Sequence, residues 1–287
     1  MTSPSQIISV ATDPRENEIT SALQQWFIAE DAILEFFEEV EEEGAYPDLF
    51  GKTVTAGEHQ YPEVFEAAKE ICALLGIEVP FLFIQEDYDY SVDSEGLSRP
   101  RLEISARLIR DFTLNEMRHK LAKELFHIAA GHLRLEVMTE KMLEFLEAIP
   151  GLPGINMLRV FGSELAFEAS SFRLRSLAFQ WFEYATFSAE NFAVAYPGDV
   201  SASVNATLMT VLNERSQLDA LDLRSFLRQI TSIESCVGPL ATLDKIDEVH
   251  PYAPYRILNM LRFVLSDRGR ALFDLCGKTS TFRVNGG

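Results

Sequence analysis

The sequence predicts a mainly helical α+β protein with a small β-sheet, and three observations lead to this fold class. Apolar residues recur at helical spacing from Leu114 almost to the C-terminal end. A short apolar run over 77–85 and an alternating segment over 101–107 are typical of strands. The chain has 287 residues, of which 47% are hydrophobic, and can bury a sizeable core.

The N-terminal part is predicted to be helical and separate from the main domain. Residues 1–18 are polar and contain prolines, so we expect a loose lead-in. Residues 19–43 have apolar residues at helical spacing and are predicted to form one helix. The resulting division is an N-terminal helical arm over 1–50, a main domain over 51–276 and a flexible tail over 277–287.

The small sheet is predicted to lie in the first half of the main domain. A helix over 62–75 precedes a strand over 77–85. Residues 86–100 are polar and contain Gly and Pro, which favours a turn-like excursion. Apolar and polar residues then alternate over 101–107, so this segment is predicted to be a half-buried strand.

Charge and composition exclude several classes of protein. The net charge of −19 opposes binding to nucleic acids and to anionic membranes. No run of eighteen apolar residues could span a bilayer, and residues 1–19 lack the features of a secretory signal. The three cysteines are far apart and lack metal-ligand spacing, so we expect reduced thiols and a cytoplasmic location.

The segment KELFH carries the chemistry. Lys123, Glu124 and His127 occupy the positions of the zinc-binding motif H-E-x-x-H, with Lys in place of the first His. In that motif two histidines one helical turn apart share a zinc ion, and the Glu activates the water bound to it.

The surrounding sequence resembles the zinc endopeptidases of the HtpX and CAAX prenyl-protein endopeptidase family. The motif helix, the preceding helix and strand, and a late His-Pro…Arg element over 250–256 occur in the family's order across roughly residues 60–265. The family's E-x-x-A-D-R pattern aligns at Glu183. The resemblance therefore implies a metallopeptidase-like fold with a remnant site, which comprises Lys123, Glu124, His127, Glu183, His250 and Arg256.

Several departures from the family argue against a metal. Protonated Lys123 has no lone pair for zinc, and Phe126 replaces the glycine of the motif. In the E-x-x-A-D-R pattern, Phe187 and Ser188 replace the Asp and the Arg. Only His127 and Glu183 remain as ligands, one fewer than a catalytic zinc normally takes from protein. We therefore expect no metal and no other cofactor.

Two other histidines are not expected to replace the missing ligand. His119 precedes His127 by eight residues, about 12 Å along a helix, and His132 is predicted to lie on a different helix face. Lys123 is predicted either to pair with Glu124 and Glu183 in place of zinc or to point to solvent.

The predicted function is that of an inactive metallopeptidase-like protein that binds a peptide or protein. An exposed strand edge can bind an extended peptide as a further strand, and the edge predicted here is that of 101–107. Such a protein could present a precursor peptide to a modifying enzyme, and the acidic charge favours a basic partner. Homo- and hetero-oligomers both remain open. The candidate peptide-binding residues are Arg101, Leu102, Glu103, Ile104 and Ser105.

Two alternatives remain. One is an active zinc endopeptidase with an atypical metal site. The other is metal-free chemistry with Lys123 as nucleophile or base, which ranks last because nearby carboxylates would raise the pKa of the lysine.

Overall fold

A computed structural model describes residues 3–27, 30–148, 164–236 and 251–280. Helices dominate these residues, and one small sheet accompanies them, which confirms the predicted α+β class. A π-helix over Phe37–Glu42 and a 3₁₀ helix over Arg215–Ala220 add to the α-helices. The α-helices are α1 (Pro4–Ala11), α2 (Pro14–Gln24), α3 (Glu30–Phe36), α4 (Glu43–Lys52), α5 (Pro62–Leu75), α6 (Ala106–Asp111), α7 (Leu114–Ala130), α8 (His132–Ala148), α9 (Glu164–Ala195), α10 (Val200–Leu212), α11 (Leu223–Cys236), α12 (Ala253–Leu265) and α13 (Asp267–Leu275).

The N-terminal residues are more ordered than the sequence predicts. The expected lead-in over 1–18 contains α1 and the start of α2, whose first helical positions are Pro4 and Pro14. Proline suits this position because its fixed φ is helical and its missing N–H would be unpaired anyway. Ile7 of α1 is buried in the main core. The prediction of a loose lead-in is therefore wrong. The prediction of a single helix over 19–43 is also wrong, because shorter elements occupy these residues.

Within the described residues the sheet has four strands in the order β1-β2-β4-β3, which are β1 (Val54–Thr55), β2 (Phe81–Gln85), β3 (Val92–Glu95) and β4 (Arg101–Ser105). Strand β4 pairs in parallel with β2 on one side and antiparallel with β3 on the other. The prediction that 101–107 forms the exposed edge is therefore wrong for Arg101, Leu102, Glu103, Ile104 and Ser105. The edge on that side is β3, which lies in the segment that was expected to form a turn.

Helix α7 is the central helix of the fold. It packs against α5, α9 and α10, and one face lies under β3. A capping box fixes its start, because the Thr113 side chain accepts from the Glu116 N–H and Glu116 accepts from the Thr113 N–H. Its end is fixed by Gly131, which has a φ of 75° and adopts the left-handed conformation that glycine tolerates. The next helix, α8, therefore begins in a new direction at His132.

The described helices pack around a main hydrophobic core. No helix within the described ranges is long and apolar enough to cross a membrane. The main core joins α1, α5, the sheet, α7, α9 and α10, and includes the fully buried Phe126 and Phe192, whose rings stack at 5.7 Å. A bulky side chain thus fills the position at which the resembled motif has glycine.

Candidate functional site

A cleft of about 670 Å³ lies over one face of α7. Strand β3 borders it on one side and α8 on the other, and residues of α9 and α12 close it. Its floor consists of Lys120, Lys123, Glu124 and His127, which are spaced by three or four residues and so share a helix face. The structure therefore places four of the predicted site residues in one cavity, these three and Arg256, and adds Lys120, which was not predicted.

Lys123 was predicted to pair with Glu124 and Glu183 or to point to solvent, and the structure shows its pair with Glu124. The Nζ atom of Lys123 lies 2.6 Å from Oε1 of Glu124, and each residue is only 7% exposed. Ser94 of β3 donates a hydrogen bond of 2.9 Å to the other oxygen of Glu124. Burial alone would raise the pKa of Glu124, but the charges of Lys123 and His127 bring it down to about 2. The pair is thus a buried ion pair at neutral pH, and Lys123 does not point to solvent.

His127 belongs to a hydrogen-bonded chain that reaches from the cleft into the protein. Its Nδ1 atom lies 2.9 Å from Nδ1 of His132, and Nε2 of His132 lies 2.9 Å from Oε1 of buried Glu16. His132 was predicted to lie on a different face of the same helix, whereas Gly131 ends α7 and turns His132 back towards His127. His132 is not among the residues that line the cleft.

This chain holds the ring of the histidine at the cleft in place. Glu16 accepts from the N–H at Nε2 of His132, and one of the two facing Nδ1 atoms of His132 and His127 donates to the other. Ser188 of α9 also hydrogen-bonds Glu16, which ties α2, α8 and α9 together. His127 is thereby oriented with its Nδ1 atom directed towards His132, in the way that hydrogen-bonded partners orient functional histidines.

The remaining predicted site residues have different outcomes. Arg256 lines the cleft and forms an ion pair of 2.5 Å with buried Glu190. Glu183 is half-buried, and its neighbours on α9, but not Glu183 itself, are among the residues that line the cleft. The pKa of Tyr255 is raised first by burial and then by the charges of Glu234 and Glu183. His250 lies outside the described residues.

A zinc ion does not fit the side chains that the structure brings together. An ammonium occupies one ligand position, and the α9 residues at the cleft are Trp181, Phe182, Ala185 and Thr186, none of which is a carboxylate. Across the part of the chain that the structure describes, no group of three His, Cys, Asp or Glu side chains has a geometry that could hold a metal. His119 is fully buried, and burial lowers its pKa to about 3, so it is a neutral core residue.

The lining of the cleft is mainly acidic, and Glu95, Glu136 and Glu140 form an acidic end. Seven acidic and three basic side chains are among its lining residues. Burial, followed by the charges of Glu140 and Glu124, raises the pKa of Glu136 on α8 to about 8, and Glu95 adds to this rise. Lys120 and Arg256 are the basic lining residues besides Lys123, and Asp93 lies close to Lys120. The acidic lining residues are Glu41, Asp89, Asp93, Glu95, Glu124, Glu136 and Glu140.

The edge of β3 presents backbone groups to this cleft. The Ser105 N–H donates to the Ser91 carbonyl, and the pairing then alternates along the two strands. Asp93 is therefore hydrogen-bonded to β4, whereas the N–H and C=O of Val92 and Ser94 face the opposite side. No described residue pairs with these groups.

The comparisons with known proteins add no family. No family model, no curated protein and no solved structure matches this chain.

Proposed function

We propose that this protein is a metal-free, metallopeptidase-like protein that binds an extended peptide segment in the cleft between β3 and α8. The observation that carries the proposal is the edge of β3, whose outward N–H and C=O groups border a cavity large enough for a peptide. An added strand would satisfy these groups and place its side chains in the cleft. The edge bound by the peptide is thus β3 and not β4.

The resemblance to the HtpX type supports this proposal when the E-x-x-A-D-R pattern, which supplies the third zinc ligand in that family, is aligned three residues later, at Thr186 instead of Glu183. Thr186 then stands at the ligand position, and Ala189 and Glu190 stand at the A-D positions. Thr186 lines the cleft, and Glu190 is paired with Arg256, the residue of the late family element. In this alignment a lysine and a threonine replace two of the three ligands, which favours an inactive relative over an active zinc endopeptidase.

The charge of the cleft suggests the kind of segment that it binds. Acidic side chains outnumber basic ones in its lining, so a basic side chain is favoured at the end formed by Glu95, Glu136 and Glu140. Complementary charge also accelerates association at low salt. Presentation of a precursor peptide to a modifying enzyme is one role that such a cleft could serve.

The proposal is tested with random dodecapeptides displayed on phage, which are panned against the wild-type protein and then made synthetically. Ser94→Pro removes an N–H that faces the cleft and breaks no bond to β4. Ser94→Ala is the matched control, because both changes remove the hydroxyl that bonds Glu124. We expect enriched basic peptides whose Kd rises more than about tenfold in Ser94→Pro and stays within about threefold in Ser94→Ala.

Hydrogen exchange gives a second measurement that does not depend on a substitution. Peptide binding should protect the Ser94 amide, whereas the Asp93 amide is already bonded to Glu103 and should change little. Failure to enrich any peptide, or enriched peptides that leave the Ser94 amide unprotected, would contradict binding at this edge.

A further inference from the structure

Lys120 is a buried cation without an ion-pair or hydrogen-bond partner among the described residues. It lines the cleft, yet only 8% of the residue is exposed. Lys123, one turn away, donates to Glu124, whereas Lys120 has no ion pair or hydrogen bond with any residue in the described ranges. Burial of an ammonium is strongly unfavourable unless an anion or acceptor satisfies it. Within the described residues, therefore, no side chain forms an ion pair with this charge.

Of the charged neighbours of Lys120, Glu124 and Arg256 are already paired, and Asp93 interacts with Lys120 without forming an ion pair. The charged groups around it are Lys123 and Glu124 on α7, Asp93 on β3 and Arg256 on α12. Glu124 is already held by Lys123 and by Ser94, and Arg256 directs both its Nε and its Nη2 to Oε1 of Glu190. Burial, and then the charges of Lys123 and Arg256, lower the pKa of Lys120 to about 8, so the ammonium form still predominates at pH 7.

We propose that Lys120 binds a carboxylate of the peptide that occupies the cleft. The proposal rests on the proposed function for its ligand and specifies how one end of that ligand is recognised. A carboxylate would form a charge-assisted hydrogen bond with the ammonium and neutralise it. A doubly charged phosphate is less suitable, because Glu124 and Asp93 lie close to the same position.

This subsite also defines a polarity for the bound segment. The charges that act on Lys120 are those of Lys123, Arg256, Glu124 and Asp93, whereas Glu136 interacts with Glu140, Glu124, Lys123 and Glu95. The two groups therefore have different surroundings in the cleft, and a segment with an acidic group at one end and a basic side chain at the other matches both of them. The carboxylate can be a C-terminal α-carboxylate or an acidic side chain, and both have the same chemistry at Lys120.

Lysine NMR tests the proposal directly, because the chain has only seven lysines. Protein labelled with ¹³C-lysine is titrated with N-acetyl-Ala-Ala, with N-acetyl-Glu N-methylamide and, as the uncharged control, with N-acetyl-Ala-Ala amide. Lys120→Met assigns the Lys120 signal. We expect a carboxylate probe to bind in the millimolar range and to raise the pKa of Lys120 by at least about one unit, and the amide to do neither.

The two carboxylate probes distinguish the sources of the group. A stronger response to N-acetyl-Ala-Ala indicates a C-terminal carboxylate, and a stronger response to the Glu derivative indicates a side chain. Binding should weaken at least about tenfold in Lys120→Met and persist in Lys120→Arg. If Lys120→Met does not fold, Lys120→Arg assigns the Lys120 signal, and the titration of the wild-type protein still decides the question.

A Lys120 signal that responds to neither carboxylate, or responds equally to the amide, would overturn the carboxylate subsite. The two proposals fail separately. Panned peptides that protect the Ser94 amide without moving the Lys120 signal would leave peptide binding intact and refute the subsite. Carboxylate binding at Lys120 without any peptide binding along β3 would refute the proposed function alone.

Discussion

Replacement of Lys123 by methionine should destabilise the protein by about 3 kcal/mol at pH 7. The side chain of Lys123 contacts Glu124 at 2.6 Å, and both residues are 7% exposed. The pKa of Glu124 falls from 4.5 to about 2, and a depression of this size corresponds to ~3 kcal/mol of stability. Loss of one partner of a buried pair typically costs a similar amount, about 3–5 kcal/mol.

The pH dependence of this loss follows from the direction of the shift. A carboxyl group whose pKa is lower in the folded state contributes stability that is fully present above the unfolded value of 4.5. That contribution disappears as the pH falls towards the folded value of about 2. The difference between wild type and Lys123→Met should therefore be largest at pH 7 and should shrink below pH 4.5.

Urea unfolding followed by circular dichroism at pH 7 and at pH 3 measures both effects. The double variant Lys123→Met/Glu124→Gln should recover to within about 1 kcal/mol of wild type, because neither member of the pair is then left as a buried charge without its partner. Lys52→Met is the control: its pair with Asp48 is 71% and 74% exposed, so we expect no measurable loss. A cost below about 0.5 kcal/mol for Lys123→Met at pH 7, or no recovery in the double variant, would refute the reasoning.

Three further outcomes follow from the same cleft. Lys123→His alone should not gain a tightly bound zinc, whereas the double variant Lys123→His/Thr186→Glu should bind one zinc per chain. Metal analysis after dialysis measures this, and a wild-type protein that carries one zinc would contradict it. Glu16→Gln should lower the free energy of unfolding in urea by about 2 kcal/mol because the hydrogen bonds to His132 and Ser188 are impaired. The control Glu18→Gln changes an exposed residue and should cost nothing measurable. Equal losses in the two variants would contradict the hydrogen-bonded chain. Phe126→Ala should cost about 3–5 kcal/mol as it leaves a cavity beside Phe192; a loss below about 1 kcal/mol would show that the site is loosely packed.

The sequence predicts helices and buried strands well and the edge of the sheet poorly. Strand β2 is mostly apolar and was predicted, although with a start four residues too early. Strand β3 has the sequence VDSE, with Val92 as its one apolar residue, and lies among turn-forming residues. No periodicity distinguishes it from a loop, because an edge strand with one covered face needs little hydrophobicity.

The position of β4 could not be read from its alternating pattern. Arg101 and Ser105 looked like solvent-facing residues but are 5% and 0% exposed. The charge of Arg101 is tolerated inside because Glu95 and Glu103 both pair with it. Alternation of polar and apolar residues therefore predicted a half-buried strand, although pairing with β2 and β3 places this strand in the interior of the sheet.

The candidate site was predictable where it lies on one helix. The spacing of Lys123, Glu124 and His127 correctly places them on one face of α7. The same spacing extended back by one turn would have found Lys120. Glu16 and His132 depend on tertiary packing and on the reversal at Gly131, which a helical projection of the sequence does not contain.

The net charge of −19 is matched by an excess of acidic side chains in the lining of the cleft. A zinc ion would bring two positive charges to the floor of a metallopeptidase cleft, and Lys123 brings one, which is enough to hold Glu124 ionised. The carboxylates of β3 and α8 are not neutralised by this pair, and the raised pKa of Glu136 is the consequence. A cation that binds there lowers the pKa of Glu136 and releases a proton. Binding of a basic segment should therefore strengthen as the pH rises towards 8, whereas a carboxylate at Lys120 requires the protonated amine and is lost above that pH.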